Sequence, residues 1–281
     1  TLYCLFSSDS NKLFEKTKEF VKKKKTNNIL QKWRINKSNY YGKHSIFTLV
    51  KLRWHMTNLS VNINKIATLR NARGGDIPNL LKMANDIQNY GADGITIHPR
   101  PDQRHITYDD AKQLPKVVSK EFNIEGNPIN DFINIVCEIK PTQVTLVPDS
   151  IEAITSNAGW DTVKNKNHLK EVVDEFKKHE IRTSIFVSTE SRFIEGASIV
   201  GADRIELYTE SYASHFVKGN FAEVKKYANA SKLAKSLGLG INAGHDLNLK
   251  NIGFFVESLP FLDEVSIGHA LISESLYLGI E

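Results

Sequence analysis

Cysteine is scarce in this chain of 281 residues, which contains only Cys4 and Cys137. They lie far apart and in no CxxC or metal-ligand spacing, so no disulfide framework is indicated and a reducing cytoplasm is the expected setting. Long apolar runs are missing too. The longest are strand-sized, well under the about 20 residues a membrane-spanning helix needs, so no membrane partner is expected. Thr1 to Phe6 is too brief for the apolar core of a signal peptide. No HExxH, Asp-rich loop or Cys/His cluster occurs, and the sequence calls for no metal. The GxGxxxG spacing of Gly238, Gly240 and Gly244 is not a dinucleotide fingerprint and implies only close backbone approach.

Charge is present but unevenly spread. Residues 1–55 hold 13 Lys/Arg against 3 Asp/Glu, whereas the remaining 226 residues hold 24 against 29, so the formal net charge of +5 comes wholly from the front segment. That segment carries the run Lys22 to Lys25 and scatters Trp33, Tyr40, Tyr41 and Trp54 without period. Residues 11–25 could form one charged helix. Met56 is the first methionine, and regular patterning begins just beyond it. The native start is therefore expected at Met56, with 1–55 a basic extension that is non-native or disordered. The alternative is a genuine extension that binds an acidic partner.

Beyond Met56, eight short apolar runs read as strands: Leu59 to Ile63, Gly94 to Ile97, Phe122 to Ile124, Val144 to Val147, Thr183 to Val187, Arg204 to Leu207, Leu239 to Ile241 and Glu264 to Ile267. Helical periodicity falls between them, over 79–90, 109–121, 129–139, 166–179, 191–200, 220–237 and 249–258. In the first of these, Leu80, Leu81, Met83, Ala84 and Ile87 share one face. Gly91-Ala92-Asp93 and Gly201-Ala202-Asp203 close helices and lead into strands. Strict alternation means parallel pairing with right-handed crossovers, and eight such units favour a closed (β/α)8 TIM barrel over 56–281 rather than an open sheet. Only Ala270 to Glu281 remain for the last helix, about three turns, so that helix looks truncated.

Polar residues stand at nearly every strand end, and a closed barrel would gather them around one pocket. Asn62 to Gly75 is rich in amides, cations and glycines and reads as a loop offering backbone N–H groups and Arg to a phosphate, or as a solvated surface loop. A lone His is more often structural than catalytic. After the second strand, however, His98, Arg100, Arg104 and His105 fall within eight residues, and a phosphorylated substrate with proton transfer near pH 7 calls for that combination. Glu125 breaks an apolar strand at its end, as a general base with a desolvated carboxyl would, or as a structural partner for a nearby Arg. Glu206, if it points into the barrel, is expected to pair with a cation, because a lone buried carboxylate is costly. Asn242 to Asp246 and Gly268-His269 follow the seventh and eighth strands, where barrels of this class commonly hold phosphate on glycine loops and a helix N-terminus.

In order and at these separations, VNINKIATLRNARGG, GADGITIHPRPDQRHI, NIEGNP, LVPD, GADRIELYT, LGINAGHDL and VSIGHALISESL closely resemble the pyridoxine 5′-phosphate synthase family, over Leu59 to Glu281. The resemblance implies a TIM barrel that condenses 1-deoxy-D-xylulose 5-phosphate with 3-amino-2-oxopropyl phosphate, releasing phosphate and water, with no cofactor. It implies His98 and Glu125 as proton acceptors, His245 as proton donor and Glu206 as stabiliser of a transition state. Asn62, Arg73, Asp246, Gly268 and His269 would bind the amino-ketone phosphate; Asn64, Lys65, Arg100, His105 and Thr155 would bind the pentulose phosphate. It also implies a homo-octamer built from dimers.

Two positions depart from the family's pattern. Asn64-Lys65 stands where many members carry Asp-His, though Lys65 can still hold phosphate as a point charge. Asp246 stands where a glycine is common, so a backbone contact there survives while its carboxylate repels phosphate. The rival expectations are another phosphate-binding barrel, such as an epimerase or a thiazole or indole-type synthase, a barrel inactive for want of its last helix, or nucleic-acid binding through residues 1–55. The rivals that are barrel enzymes would place a catalytic Asp or Lys where this chain offers His98, Glu125 and His245. Phosphorylated small molecules are the expected partners, and nucleic acid is not.

Overall fold

The computed structural model describes residues 57–149 and 158–281. The basic segment 1–55, with the helix expected over 11–25, and Thr155 all lie outside the described residues. Eight strands follow in chain order: β1 Asn58–Asn62, β2 Gly94–Ile97, β3 Glu121–Gly126, β4 Gln143–Leu146, β5 Arg182–Val187, β6 Arg204–Tyr208, β7 Gly240–Gly244 and β8 Glu264–Ile267. Each pairs in parallel with the next, and β8 returns to β1 to close the barrel.

The two-residue period of the strands sorts their side chains into two environments. Val61, Ile95, Ile124, Val144, Ile185, Ile205, Ile241 and Val265 are buried against the surrounding helices. Their alternates Ser60, Thr96, Asn123, Thr145, Ser184, Glu206, Asn242 and Ser266 are also buried but polar, and they fill the interior. Branched apolar side chains usually pack that space. Here hydrogen bonds link much of it instead: Ser60 and Thr96 share one at 2.7 Å, Asn123 donates to Thr96 at 3.3 Å, and Thr145 donates to Asn123 at 3.1 Å, whereas Ser184 Oγ has no partner among the described residues. Below this layer Arg182 donates to Gln143 at 2.9 Å and pairs with Glu121, while Arg204 donates to Asn242 at 2.9 Å and lies 3.8 Å from Glu264.

The outer layer holds α1 Asn64–Asn71, α2 Leu80–Asn89, α3 Tyr108–Gln113, α4 Asn130–Ile139, α5 Lys166–Lys178, α6 Ser191–Ile199, α7 Glu210–Val217, α8 Val224–Ser236, α9 Ile252–Ser258 and α10 His269–Leu278. α5 shows why they dock: Leu169, Val172, Val173 and Phe176 fall at helical spacing and all are buried. Gly91 and Gly201 end helices at φ +115° and +87°, a conformation glycine adopts without steric cost. The aspartates that follow are clamps. Asp93 accepts from Leu59 N–H at 3.1 Å, Asp203 from Thr183 N–H at 2.8 Å, and Asp263 repeats the arrangement on Ile241 N–H at 2.7 Å.

Three sequence expectations need correction. Asn64–Asn71, read as part of a loop, is a helix that buries Ile66 and Ala67; its two-residue apolar face is too short to register as a period, and the glycines that suggested a loop lie beyond its end. Helix 109–121 stops early, at Gln113, followed by a short 3-10 turn over Leu114–Lys116, because Pro115 has no N–H to continue the ladder. Glu121 instead opens β3. α7 was not anticipated, since only Tyr212 and Ala213 of it are buried.

Phe176 is fully buried. Phe176→Ala is expected to cost about 3–5 kcal/mol of unfolding free energy through cavity formation, read as a lowered urea midpoint at unchanged m-value; a change under about 1 kcal/mol would contradict the packing described.

Candidate active site

Because parallel strands present their C-terminal ends together, the residues singled out after β1, β2, β3, β7 and β8 reach one rim. The site begins with two amides. Asn62 turns inward as the last residue of β1; its Nδ2 donates to Glu125 Oε2 at 3.3 Å across the mouth, and its Oδ1 accepts from Asn64 N–H at 3.0 Å. Asn64 Oδ1 in turn accepts the N–H of His98 at 2.9 Å. The end of β1 thus holds the first histidine and the first carboxylate in place.

His98 is buried. Desolvation, reinforced by the Arg100 guanidinium and then His105, holds its imidazole well below the usual histidine range, so it is neutral near pH 7. His105, with its ring centroid 6.3 Å away, is lowered to about 4, by burial first and by Arg100 next. Arg100 is itself buried and donates to Asp149 at 2.7 Å, so a phosphate reaching it must share the guanidinium with that carboxylate. His98, Arg100, Tyr108, Asn127, Phe132 and Asp149 line a small cavity beside the mouth.

Glu125 lies within β3 rather than beyond its end. Part of the residue faces the opening, yet the surrounding protein desolvates the carboxyl and pushes it up to about 8, with Asp149 adding repulsion and Ser266 partly offsetting it through a hydrogen bond. Glu206, one layer deeper, is also buried and its carboxyl is pushed well above the usual range, by desolvation first and Glu125 second. The expected cation partner is not what stabilises it: Glu206 hydrogen-bonds Thr145, and its Oε2 finds no partner among the described residues. Holding its proton avoids the cost of burying a charge. A methyl group on Gly244 would collide with Glu206 Oε1, so the glycine after Ala243 makes room for this carboxyl.

Across the mouth, His245 Nδ1 contacts Asp246 Oδ2 at 2.6 Å. The Tyr208 ring meets the His245 ring edge-on at 5.0 Å. Gly268 caps α10, and a Cβ there would come within 3.1 Å of the Asn62 backbone oxygen. His269 follows at the exposed first turn. Lys65 and Arg73 are exposed at the start of α1 and just past its end. Of the predicted site residues, Asn62, Asn64, His98, Arg100, His105, Glu125, His245, Asp246 and Gly268 stand at this mouth with Glu206 beneath, Lys65 lies toward His105 and His269 toward Asp246, Arg73 lies just past the end of α1, and Thr155 is outside the described residues.

A family model described as pyridoxal phosphate biosynthesis protein PdxJ matches residues 59–281. The chain belongs to this family. Curated relatives named pyridoxine 5′-phosphate synthase include those of Christiangramia forsetii, 66% identical over 226 residues, and Flavobacterium johnsoniae, 63% identical; each alignment covers 80% of this chain and 95% of the relative. A relative of the same name from Cytophaga hutchinsonii is 61% identical with the same coverage. Among solved structures, one titled "Native KDPGal structure" aligns with TM-score 0.51 at 9% identity over 84% of this chain and 92% of that one, a likeness of fold alone.

Three residues at this site were not singled out from sequence. Asp149 ends the LVPD motif, but its partnership with Arg100 spans 49 positions. Ser266 was discoverable, since it alternates with Glu264 and Gly268 along an inward-facing edge. Tyr208 carried no sequence signal beyond its place after Leu207. Tertiary structure also brings Cys137, Glu175 and His179 within 4.8 Å of one another, a grouping no sequence spacing suggests. It lies on outer helices, and Lys178 already pairs with Glu175 at 2.7 Å.

A carboxyl raised from 4.5 to about 8 on folding stabilises the fold fully below pH 4.5, and that contribution is lost as pH rises through 8. Glu125→Gln removes this loss. Urea unfolding at pH 5, 6.5 and 8 is expected to show the wild type falling more steeply with pH than the variant; parallel profiles would place the Glu125 carboxyl in an ordinary, solvated environment.

Proposed function

We infer that this chain is a pyridoxine 5′-phosphate synthase, an enzyme of vitamin B6 biosynthesis that condenses 1-deoxy-D-xylulose 5-phosphate with 3-amino-2-oxopropyl phosphate to give pyridoxine 5′-phosphate, phosphate and water. The observation that carries this is membership of the PdxJ family over residues 59–281, together with a rim on which a neutral imidazole, a raised carboxyl and a second histidine converge.

The chemistry asks for these groups. An amine attacks a carbonyl only when unprotonated, so the ammonium form of the amino ketone must first lose a proton. His98, held neutral by desolvation and Arg100, suits that acceptance. Glu125 holds its own proton near pH 7; an ammonium group close by favours its ionised form, and once that ammonium is neutralised the desolvated carboxylate regains its affinity for a proton. Each departing water or phosphate leaves more readily when its oxygen is protonated, and His245 is assigned that step. Glu206, kept neutral, supplies a hydrogen bond to charge that develops over the mouth. The pentulose phosphate is assigned to the cations Lys65 and Arg100 with the neutral groups Asn64, His105 and Thr155, and the amino-ketone phosphate to Arg73 with Asn62, Gly268, His269 and the backbone of Asp246, whose carboxylate would repel it. The first turn of α10 adds backbone N–H groups directed at an anion.

No helix among the described residues is long and apolar enough to cross a membrane. The implied homo-oligomer is supported by exposed apolar side chains on the outer surface, among them Val217, Phe221, Phe254 and Tyr277; such patches commonly mark interfaces.

Incubating the full chain with both phosphates and following pyridoxine 5′-phosphate by mass spectrometry tests the assignment. His245→Ala and His98→Gln are each expected to lower kcat by about 10²–10⁴-fold while the far-ultraviolet circular dichroism stays that of wild type. Absence of product from the wild type would refute the function. Full turnover by a folded His245→Ala would remove the acid role alone.

A further inference from the structure

Neighbouring side chains in a strand point to opposite faces, and in a helix they diverge around the axis, so residues i and i+1 seldom meet side chain to side chain. His245 and Asp246 do. His245 adopts φ +86° and Asp246 φ +59°, and these consecutive left-handed steps fold the imidazole and carboxylate onto the same side, Nδ1 to Oδ2 at 2.6 Å. Left-handed backbone is unfavourable for a residue such as histidine and persists only where the surroundings hold it.

Here the surroundings do hold it. Thr209 donates to Gly244 O at 2.6 Å and also contacts His245 O, securing the chain just before the corner. Asn251 Nδ2 donates to Asp246 O at 3.1 Å, and Asn251 Oδ1 accepts Asn248 N–H at 2.8 Å, securing it just after. Leu247 is buried, anchoring the next residue in the core. The edge-on Tyr208 ring closes the remaining side of the imidazole. The strained corner is overdetermined from four directions, and its effect is to place a carboxylate on one ring nitrogen of the histidine assigned as proton donor.

We propose that the Asp246 side chain is a positioning residue for His245: it accepts the Nδ1–H, fixes the ring's tautomer and tilt, and makes Nε2 the nitrogen that exchanges a proton with the substrate. This rests on the reading of His245 as the acid. An imidazole whose Nδ1–H is held by a carboxylate has its ring orientation fixed and leaves Nε2 as the nitrogen that exchanges a proton. His245 holds the Asp246 carboxyl below its usual range, with His269 adding attraction, so the carboxylate is charged at neutral pH. The other titratable groups around the pair are Tyr208, which itself feels Glu210 and Asp149, and Glu206, whose carboxyl lies under Gly244. The carboxyl of Glu206 is pushed well above the usual range and the Tyr208 hydroxyl is raised, and the Asp246 carboxylate is in direct contact with the ring.

Two variants of the full chain separate orientation from charge. Asp246→Asn keeps an acceptor and tolerates left-handed φ but loses the charge; Asp246→Gly suits that φ and loses both. Imidazole NMR with ¹⁵N labelling, the His245 signal assigned by its disappearance in His245→Gln, reads the tautomer directly. The wild type is expected to carry its neutral-form proton on Nδ1. In Asp246→Asn the tautomer persists, because the amide oxygen still accepts the Nδ1–H, and kcat falls less than in Asp246→Gly. In Asp246→Gly the tautomers mix and kcat falls on the order of tenfold with KM nearly unchanged. A wild-type tautomer retained in Asp246→Gly would overturn the proposal, as would a raised KM at unchanged kcat, which would make the Asp246 side chain a substrate contact. Should the wild type form no product, the assigned reaction fails, and the NMR comparison still decides the pairing by itself.

Discussion

Ser60, Thr96, Asn123 and Thr145 pass hydrogen bonds across four neighbouring strands, and the rim above depends on that belt. An apolar filling would let the strands slide until side chains interlocked by shape alone. A polar filling imposes directional partners, and any register that misaligned them would leave buried donors or acceptors unsatisfied. Asn62, one pleat above Ser60, and Glu125, one pleat above Asn123, inherit their facing positions from that register.

The same polar interior sets the protonation states. Glu125, Glu206 and Glu264 all have carboxyls pushed above the usual range, desolvation being the largest cause for each. For Glu206 and Glu264 the charged neighbours include a further carboxylate, so each ionised group would make ionisation of the next costlier. Lys65 is exposed toward His105, and Arg73 is exposed just past the end of α1. The mouth thus carries a cation toward its edge and protonated or neutral groups in its depth; under the proposed reaction, phosphate would meet the former and proton transfer the latter. That separation lets phosphate binding and proton transfer be served by different residues.

Closure at the opposite end relies on a repeated device. Asp93, Asp203 and Asp263 each precede one strand and accept a backbone N–H from the strand before it. Each ties a loop to two strands where a barrel would otherwise fray. The His245-Asp246 corner is the counterpart at the functional end, where tightly held backbone aims a side chain instead of closing a sheet.

Strand positions, the eightfold alternation and the loops that carry chemistry follow from the sequence, because a period of two against a period of 3.6 is a local property that survives without knowledge of partners. His98, Glu125 and His245 were recognisable for the same reason: each interrupts or ends an apolar run. Short elements escaped: α1 and α7 each bury two residues, too few to display a period. Partnerships escaped as well. Nothing near Glu206 in the chain says that Thr145 would be its hydrogen-bond partner, nor near Arg100 that Asp149 would bind it, since both depend on closure of the barrel. Whether a carboxyl holds or releases its proton is a property of the dielectric and charges packed around it, and those are assembled only when strands distant in the chain come side by side.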